Sequence, residues 1–184
     1  MPTTISLPTA VTTNSITGSN LFADDGVNTT GLWVNTHADV ILSSFSGLSI
    51  PAGATINGIE VVVDGQGNVA PGSPRMVVYN GGWSTTQNFS GSFGKSQAEY
   101  DPGWGSSSNL WGLSWTVAQA LAIQIGIVSL TITPGRQMYW DWVKVRITYT
   151  AAAGYGNAVN GVAAANIGKV NGVATANIEK VNGV

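Results

Sequence analysis

The sequence predicts an all-β fold, an antiparallel β-sandwich of jelly-roll type, occupying residues 1–150, followed by a short repeated C-terminal tail over 151–184. Three observations carry this expectation. Apolar residues alternate with polar ones in several short runs, the two-residue period of a half-buried strand. Glycine and proline separate the runs. Only 9% of residues are charged, and the 24 glycines stand among many Ser, Thr and Asn residues. Many short strands divided by Gly/Pro turns argue for a sandwich or jelly roll over an alternating α/β fold.

The elements follow in order. Ile59-Glu60-Val61-Val62-Val63-Asp64 puts Ile59, Val61 and Val63 on one face and ends in the turn signal Asp64-Gly65. Met76-Val77-Val78-Tyr79 is a short strand between Pro74 and the turn Asn80-Gly81-Gly82. Ser114 to Leu121 has little β character and accommodates at most a short helix. Ile123, Ile125 and Ile127 alternate with Gln124 and Gly126. The clearest strand is Trp142 to Thr150. Val143, Val145, Ile147 and Tyr149 share its inner face, while Trp142, Lys144, Arg146, Thr148 and Thr150 share a face expected to be wet. Pro51, Pro71, Pro74, Pro102 and Pro134 are expected between strands, where a missing N–H is harmless.

After Thr150, Ala151-Ala152-Ala153-Gly154-Tyr155-Gly156 reads as a small-residue linker. Val159-Asn160-Gly161-Val162 then recurs as Val170-Asn171-Gly172-Val173 and Val181-Asn182-Gly183-Val184, 11 residues apart each time. An 11-residue period suits a right-handed coiled coil. Asn-Gly in every repeat argues against a continuous helix, at about 1 kcal/mol per glycine relative to Ala. A helical turn begun by Asn166 or Asn177 and closed by Gly172 or Gly183 is the expected alternative. So few repeats cannot bury Val159, Val162, Ile167, Val170, Val173, Ile178, Val181 and Val184 by themselves. These residues are therefore expected to serve assembly, docking on another subunit or on copies of the same chain. The bland reading is a disordered tail, against which the regular Val/Ile spacing stands.

Composition narrows the chemistry. With 184 residues the chain suffices for one domain with a real core. Net charge is −2 and the seven basic residues are scattered, so neither a nucleic-acid nor a membrane partner is expected. No cysteine is present, which excludes disulfides and thiolate chemistry. The start, Met1 to Ser6, has no basic and apolar leader pattern, and no apolar run reaches membrane-spanning length. A surface of extracellular type without an export signal fits a protein assembled in the cytoplasm into a particle released by lysis. A turn-rich soluble β-protein is the plainer alternative.

No catalytic set is legible, so no enzyme activity and no cofactor are expected. His37 is the one histidine, and Asp39 follows two residues later on the same face of a strand, but no nucleophile accompanies them. Zinc ligands are lacking. Asp24, Asp25, Glu60, Asp64, Glu99, Asp101 and Asp141 are the carboxylates from which a glycosidase pair would be drawn. Asp24-Asp25-Gly26 reads first as a turn, with a calcium loop as the rival reading. The aromatics say more. Trp83, Tyr100 and Trp104 lie in Gly/Ser-rich stretches and are candidate ligand-binding residues for a glycan or a protein surface. Core packing is the competing reading, favoured for Trp111, Trp115 and Trp140.

Three blocks carry a family resemblance. Leu48-Ser49-Ile50-Pro51-Ala52-Gly53-Ala54-Thr55-Ile56-Asn57-Gly58-Ile59-Glu60-Val61 is the first, Asn109-Leu110-Trp111-Gly112-Leu113-Ser114-Trp115-Thr116 the second, and Trp140 to Thr150 the third. Together they resemble a β-sandwich domain common in bacteriophage structural proteins, and the Asn-Ile-x-Lys-Val-Asn-Gly-Val-Ala units resemble repeats at the ends of virion proteins. The resemblance implies a jelly-roll-like virion part: capsid decoration, collar, tail or fibre. It implies other virion subunits and copies of itself as partners, a place on the particle exterior, and no catalytic residues. The rival is a carbohydrate-binding or receptor-binding module that takes a host-surface glycan on its loop Trp and Tyr residues.

Overall fold

The computed structural model describes residues 1–13, 21–31, 40–67, 74–89, 94–128, 138–152, 169–170 and 173–174. The strands are β1 (Thr3–Ser6), β2 (Ala10–Thr13), β3 (Thr29–Gly31), β4 (Val40–Ser43), β5 (Thr55–Gly67), β6 (Arg75–Tyr79), β7 (Gln87–Asn88), β8 (Ala98–Ser106), β9 (Gln124–Val128), β10 (Met138–Thr150), β11 (Lys169–Val170) and β12 (Val173–Ala174). One helix, α1 (Val117–Leu121), precedes β9. It starts at a capping box in which the Thr116 hydroxyl accepts from the Gln119 N–H and the Gln119 side chain accepts from the Thr116 N–H. The expected short helix is thus present.

The sandwich is made of two antiparallel sheets. One has the order β1-β10-β5-β8, with β3 also on β10; the other has the order β2-β4-β9-β6-β7. Setting β2 and β3 aside leaves β1-β10-β5-β8 facing β4-β9-β6-β7, the double Greek-key wiring of a jelly roll. Strand register fixes the ends. Ser43, Thr55, Tyr79, Ser106, Gln124 and Thr150 gather at one end, and Val40, Gly67, Arg75, Val128 and Met138 at the other.

The alternation seen in the sequence builds the core. Ile59, Val61, Val63, Val143, Val145 and Ile147 from the first sheet meet Val40, Leu42, Met76, Val78, Ile125 and Ile127 from the second, all effectively excluded from solvent. Two bulges shift the parity. Between Thr148 and Tyr149 the pairing skips Asn57, so Ile56 joins Ile59 inside; between Trp140 and Trp142 it skips Asp141, so Trp140 turns inward and Trp142 outward. Trp104 and Trp140 stack at 5.8 Å, and Phe89 packs against Trp104 at 4.8 Å and Tyr100 at 5.0 Å. Trp111 and Trp140 belong to this core and Trp115 packs on its edge.

Four expectations are corrected. Asp64-Gly65 is no turn: β5 continues to Gly67, because both residues find partners on each side, Asp64 against Trp142 and Glu99, Gly65 against Trp140 and Ala98. Pro102 lies inside β8, not between strands. It follows a cis peptide and sits where β8 carries three residues, Asp101 to Gly103, opposite Val62 alone, on an edge strand that tolerates the absent N–H. The outer face of β10 is not simply wet. Trp142 and Thr148 are buried there, Trp142 beneath the Lys144 ammonium at 3.6 Å and bridged to Phe22. In the tail, Lys169–Val170 and Val173–Ala174 pair as antiparallel strands, Val170 opposite Val173, in place of the expected helical turn. The two residues between these strands, and the turn expected from Asn177 to Gly183, lie outside the described residues. Pro71 and Pro134 lie outside the described residues.

Candidate functional site

The loop between β8 and α1 closes one end of the sandwich and organises everything around it. Asn109 and Trp111 satisfy both main-chain polar groups of Ile59: the Ile59 N–H donates to the Asn109 carbonyl at 2.9 Å, and the Trp111 indole N–H donates to the Ile59 carbonyl at 2.9 Å. The Asn109 side chain also accepts from the Trp111 N–H at 2.7 Å and exchanges two hydrogen bonds with Gln87, at 2.9 and 3.1 Å. One loop is thereby bonded to β5 of one sheet and β7 of the other. The approach is close. A Cβ on Gly58 would stand 2.2 Å from the Ser107 carbonyl carbon, and one on Gly105 (φ +75°) would stand 2.1 Å from the Ile59 oxygen. Only glycine fits either position.

Beside this plug, at the same end, is an open cleft of about 410 Å³ lined by Tyr79, Asn80, Gly81, Ala118, Gln119, Ala122 and Gln124. Tyr79 and Gln124 are register partners on adjacent strands. The ring of Tyr79 meets that of Trp83 edge-on, with centroids 5.1 Å apart. The amides on the rim are held in place. Gln119 Nε2 donates to the Asn80 carbonyl at 3.0 Å, and Asn80 Nδ2 donates to the Ser114 carbonyl at 2.7 Å. No charged side chain lines the cleft.

The structure separates the three aromatic residues singled out in the sequence. Trp83 is 38% exposed, in the turn between β6 and β7, next to the cleft. Tyr100 is half-buried on β8 against Phe89, its hydroxyl accepting from the Gly94 N–H at 3.0 Å. Trp104 is fully buried, its indole donating to the Pro74 carbonyl at 3.2 Å, so it cannot stack on a ligand and the expectation for it is corrected. Its Gly neighbours suggested a loop, but Gly103 and Gly105 belong to β8. Of the assembly residues, Val170 and Val173 pair with each other; Val159, Val162, Ile167, Ile178, Val181 and Val184 lie outside the described residues, as does His37. Tyr79 and Gln124 were passed over because each reads from sequence as an ordinary strand-end residue; the pattern Thr116-x-x-Gln119, a capping box, is the signal from which the start of α1 could have been read.

Four of the carboxylates, Asp25, Glu60, Asp101 and Asp141, hold ion pairs or hydrogen bonds within the fold. Arg146 pairs with Glu60 at 3.4 Å and, more closely, with Asp101; its guanidinium is held above the usual range, chiefly by the hydrogen bond to Asp101. Beside it Met1, Thr3, Glu60, Ser107, Arg146 and Thr148 line a second recess of about 480 Å³. Asp25 Oδ1 accepts from the Val27 N–H at 2.9 Å, closing the expected turn with Gly26 at φ +74°. Asp141 is buried, and one carboxylate oxygen accepts from the Gly26 N–H at 3.2 Å and from Gln97 at 3.4 Å. Burial pushes its carboxyl above the usual carboxylate range, opposed by main-chain hydrogen bonds from Gly26 and Asp25 and reinforced by the charges of Asp25 and Asp64. Among the described residues no three His, Asp or Glu side chains are grouped to hold a metal ion, and no helix is long and apolar enough to cross a membrane.

The chain matches no protein-family model and no curated protein with which it was compared.

Proposed function

We propose that this protein is a non-enzymatic structural subunit of a bacteriophage particle, a jelly-roll domain displayed on the exterior and joined to other virion subunits, or to copies of itself, through the tail at 151–184. The observation that carries this reading is the convergence of the three blocks that resemble phage structural proteins. They meet at one residue: Ile59 of the first block is bonded by Asn109 and Trp111 of the second and lies opposite Ile147 of the third. The residues behind the resemblance therefore serve the scaffold, and Glu60 and Arg146 among them pair with each other in the recess they line, as suits a protein that acts by assembly. The tail supports the same reading. Its repeats follow a sandwich whose core is already closed, and their apolar residues need a partner surface.

Quantitative mass spectrometry of purified particles from a producing culture tests the proposal. Hundreds of copies per particle are expected of a decoration subunit, and a handful of a collar, tail or fibre component. Absence from the particles refutes the virion role. Ending the chain at Thr150 is expected to leave the sandwich folded and to abolish incorporation; a truncated chain that still joins the particle refutes the assembly role of the tail.

A further inference from the structure

We infer that the cleft between the β6 end and α1 is a binding site for a neutral saccharide, with the Tyr79–Trp83 pair as its aromatic platform and Gln124 and Asn80 as its polar contacts. This goes beyond the assembly role and does not depend on it. The volume of about 410 Å³ lies within the range of roughly 300–1,000 Å³ typical of small-ligand clefts. Chemistry selects the class of ligand. With no charged side chain on the lining, an ionic ligand would lose its hydration without gaining a counter-charge. A hydrocarbon would cover the amide of Gln124 and the side-chain oxygen of Asn80 without offering either a hydrogen bond. A neutral sugar presents a C–H face to an aromatic ring and hydroxyls to amides, and so matches both halves of the lining.

The site is also built before any ligand arrives. Gln119 is locked by the capping box and by its bond to the Asn80 carbonyl, and Asn80 is anchored to Ser114. Ala118 and Ala122 make the α1 wall low. The main chain of Tyr79 is paired with that of Gln124, and its ring rests edge-on against Trp83. Asn80 and Gln119 therefore have little side-chain freedom left to lose on binding. Trp83, at 38% exposure, lies in contact with Tyr79 of the cleft lining and is open to solvent there.

The test uses the full-length protein on an array carrying neutral, sialylated and sulfated glycans, followed by calorimetric titration of the strongest neutral glycan. Neutral glycans are expected to bind. Gln124→Leu, which keeps the side chain's bulk, and Trp83→Ala are each expected to weaken binding at least tenfold. Lys95→Ala, an exposed change on β8's approach, is expected to leave it unchanged. Should Gln124→Leu fail to fold, the exposed Trp83→Ala change carries the test alone. The inference is overturned if no neutral glycan binds, if only charged glycans bind, or if the folded cleft variants bind as the parent does. Mass spectrometry of particles is unaffected by any of these outcomes, so the two proposals fail separately.

Discussion

Trp111→Phe probes the plug that ties the two sheets together. Trp111 is 1% exposed, and its indole N–H donates to the Ile59 carbonyl at 2.9 Å. Phenylalanine keeps most of the apolar bulk but removes that donor. Leaving a buried carbonyl without it costs about 1–3 kcal/mol. The smaller ring also leaves a void costing about 1 kcal/mol. The sum is about 2–4 kcal/mol, or a fall in Tm of roughly 5–15 °C for a domain of this size. Trp83→Phe is the control, since an exposed change of similar chemistry is expected to stay within about 0.5 kcal/mol. Thermal and urea unfolding of both variants, followed by circular dichroism, measure the difference. If Trp111→Phe unfolds within about 2 °C of the parent, the indole does not pin the loop to β5, and the account of this end of the sandwich is wrong.

Two further perturbations separate local geometry from packing and charge. Gly26 and Gly105 share nearly the same backbone conformation, φ +74° and +75°, but a Cβ on Gly26 meets nothing within 4 Å whereas one on Gly105 strikes the Ile59 oxygen. Gly26→Ala should cost only the left-handed penalty of about 1–2 kcal/mol, while Gly105→Ala should yield little soluble protein; equal denaturation midpoints for the two would refute the close-approach argument. Asp141→Asn tests the raised carboxyl. A carboxyl whose folded pKa lies above its unfolded value of 3.8 binds its proton more tightly in the native state, so the parent loses stability as pH rises through the range above 3.8. Asn keeps an acceptor for Gly26 and carries no charge beside Asp25 and Asp64, so the variant should be at least as stable as the parent at pH 7 and show a flatter Tm-against-pH curve between pH 4 and 7. A variant less stable than the parent at pH 7 but equal to it near pH 4 would mean that the ionised carboxylate stabilises the fold.

The parts of the fold that were legible are those in which one residue type repeats in register with the pleat. Ile59, Val61 and Val63, and Val143, Val145 and Ile147, announce their face by alternation alone. The bulges at Asn57 and Asp141 were not legible. A bulge inserts one residue without changing composition, and it reverses the face of everything beyond it, which is why Trp140 and Trp142 look equivalent in sequence and face opposite ways. Asp64-Gly65 misled for a related reason. Turn propensity is a local preference of a few tenths to one kcal/mol, and a strand that is paired on both sides overrides it. The candidate site was legible only through Trp83. Its other members come from β6, α1 and β9, brought together by the jelly-roll wiring and not by any spacing along the chain.

That wiring also relates the two proposals in space. The sandwich ends at Thr150, where the Tyr149 N–H donates to the Pro2 carbonyl and Asn57 donates to the Thr150 hydroxyl, at the end that also carries Tyr79 and Gln124. The linker Ala151 to Gly156 reaches about 20 Å when fully extended. The 13-residue strand β10 runs about 43 Å along the sandwich, at about 3.3 Å per residue. A neighbour that grips the first repeat, which begins at Val159, is therefore held nearer to the cleft end than to the end marked by Gly67, Arg75, Val128 and Met138. On the proposed reading, saccharide binding and assembly compete for the same end of the domain. A glycan held by the free protein and refused by the intact particle would mean that the cleft faces the anchor; equal binding by both would mean that it opens sideways, clear of the neighbour.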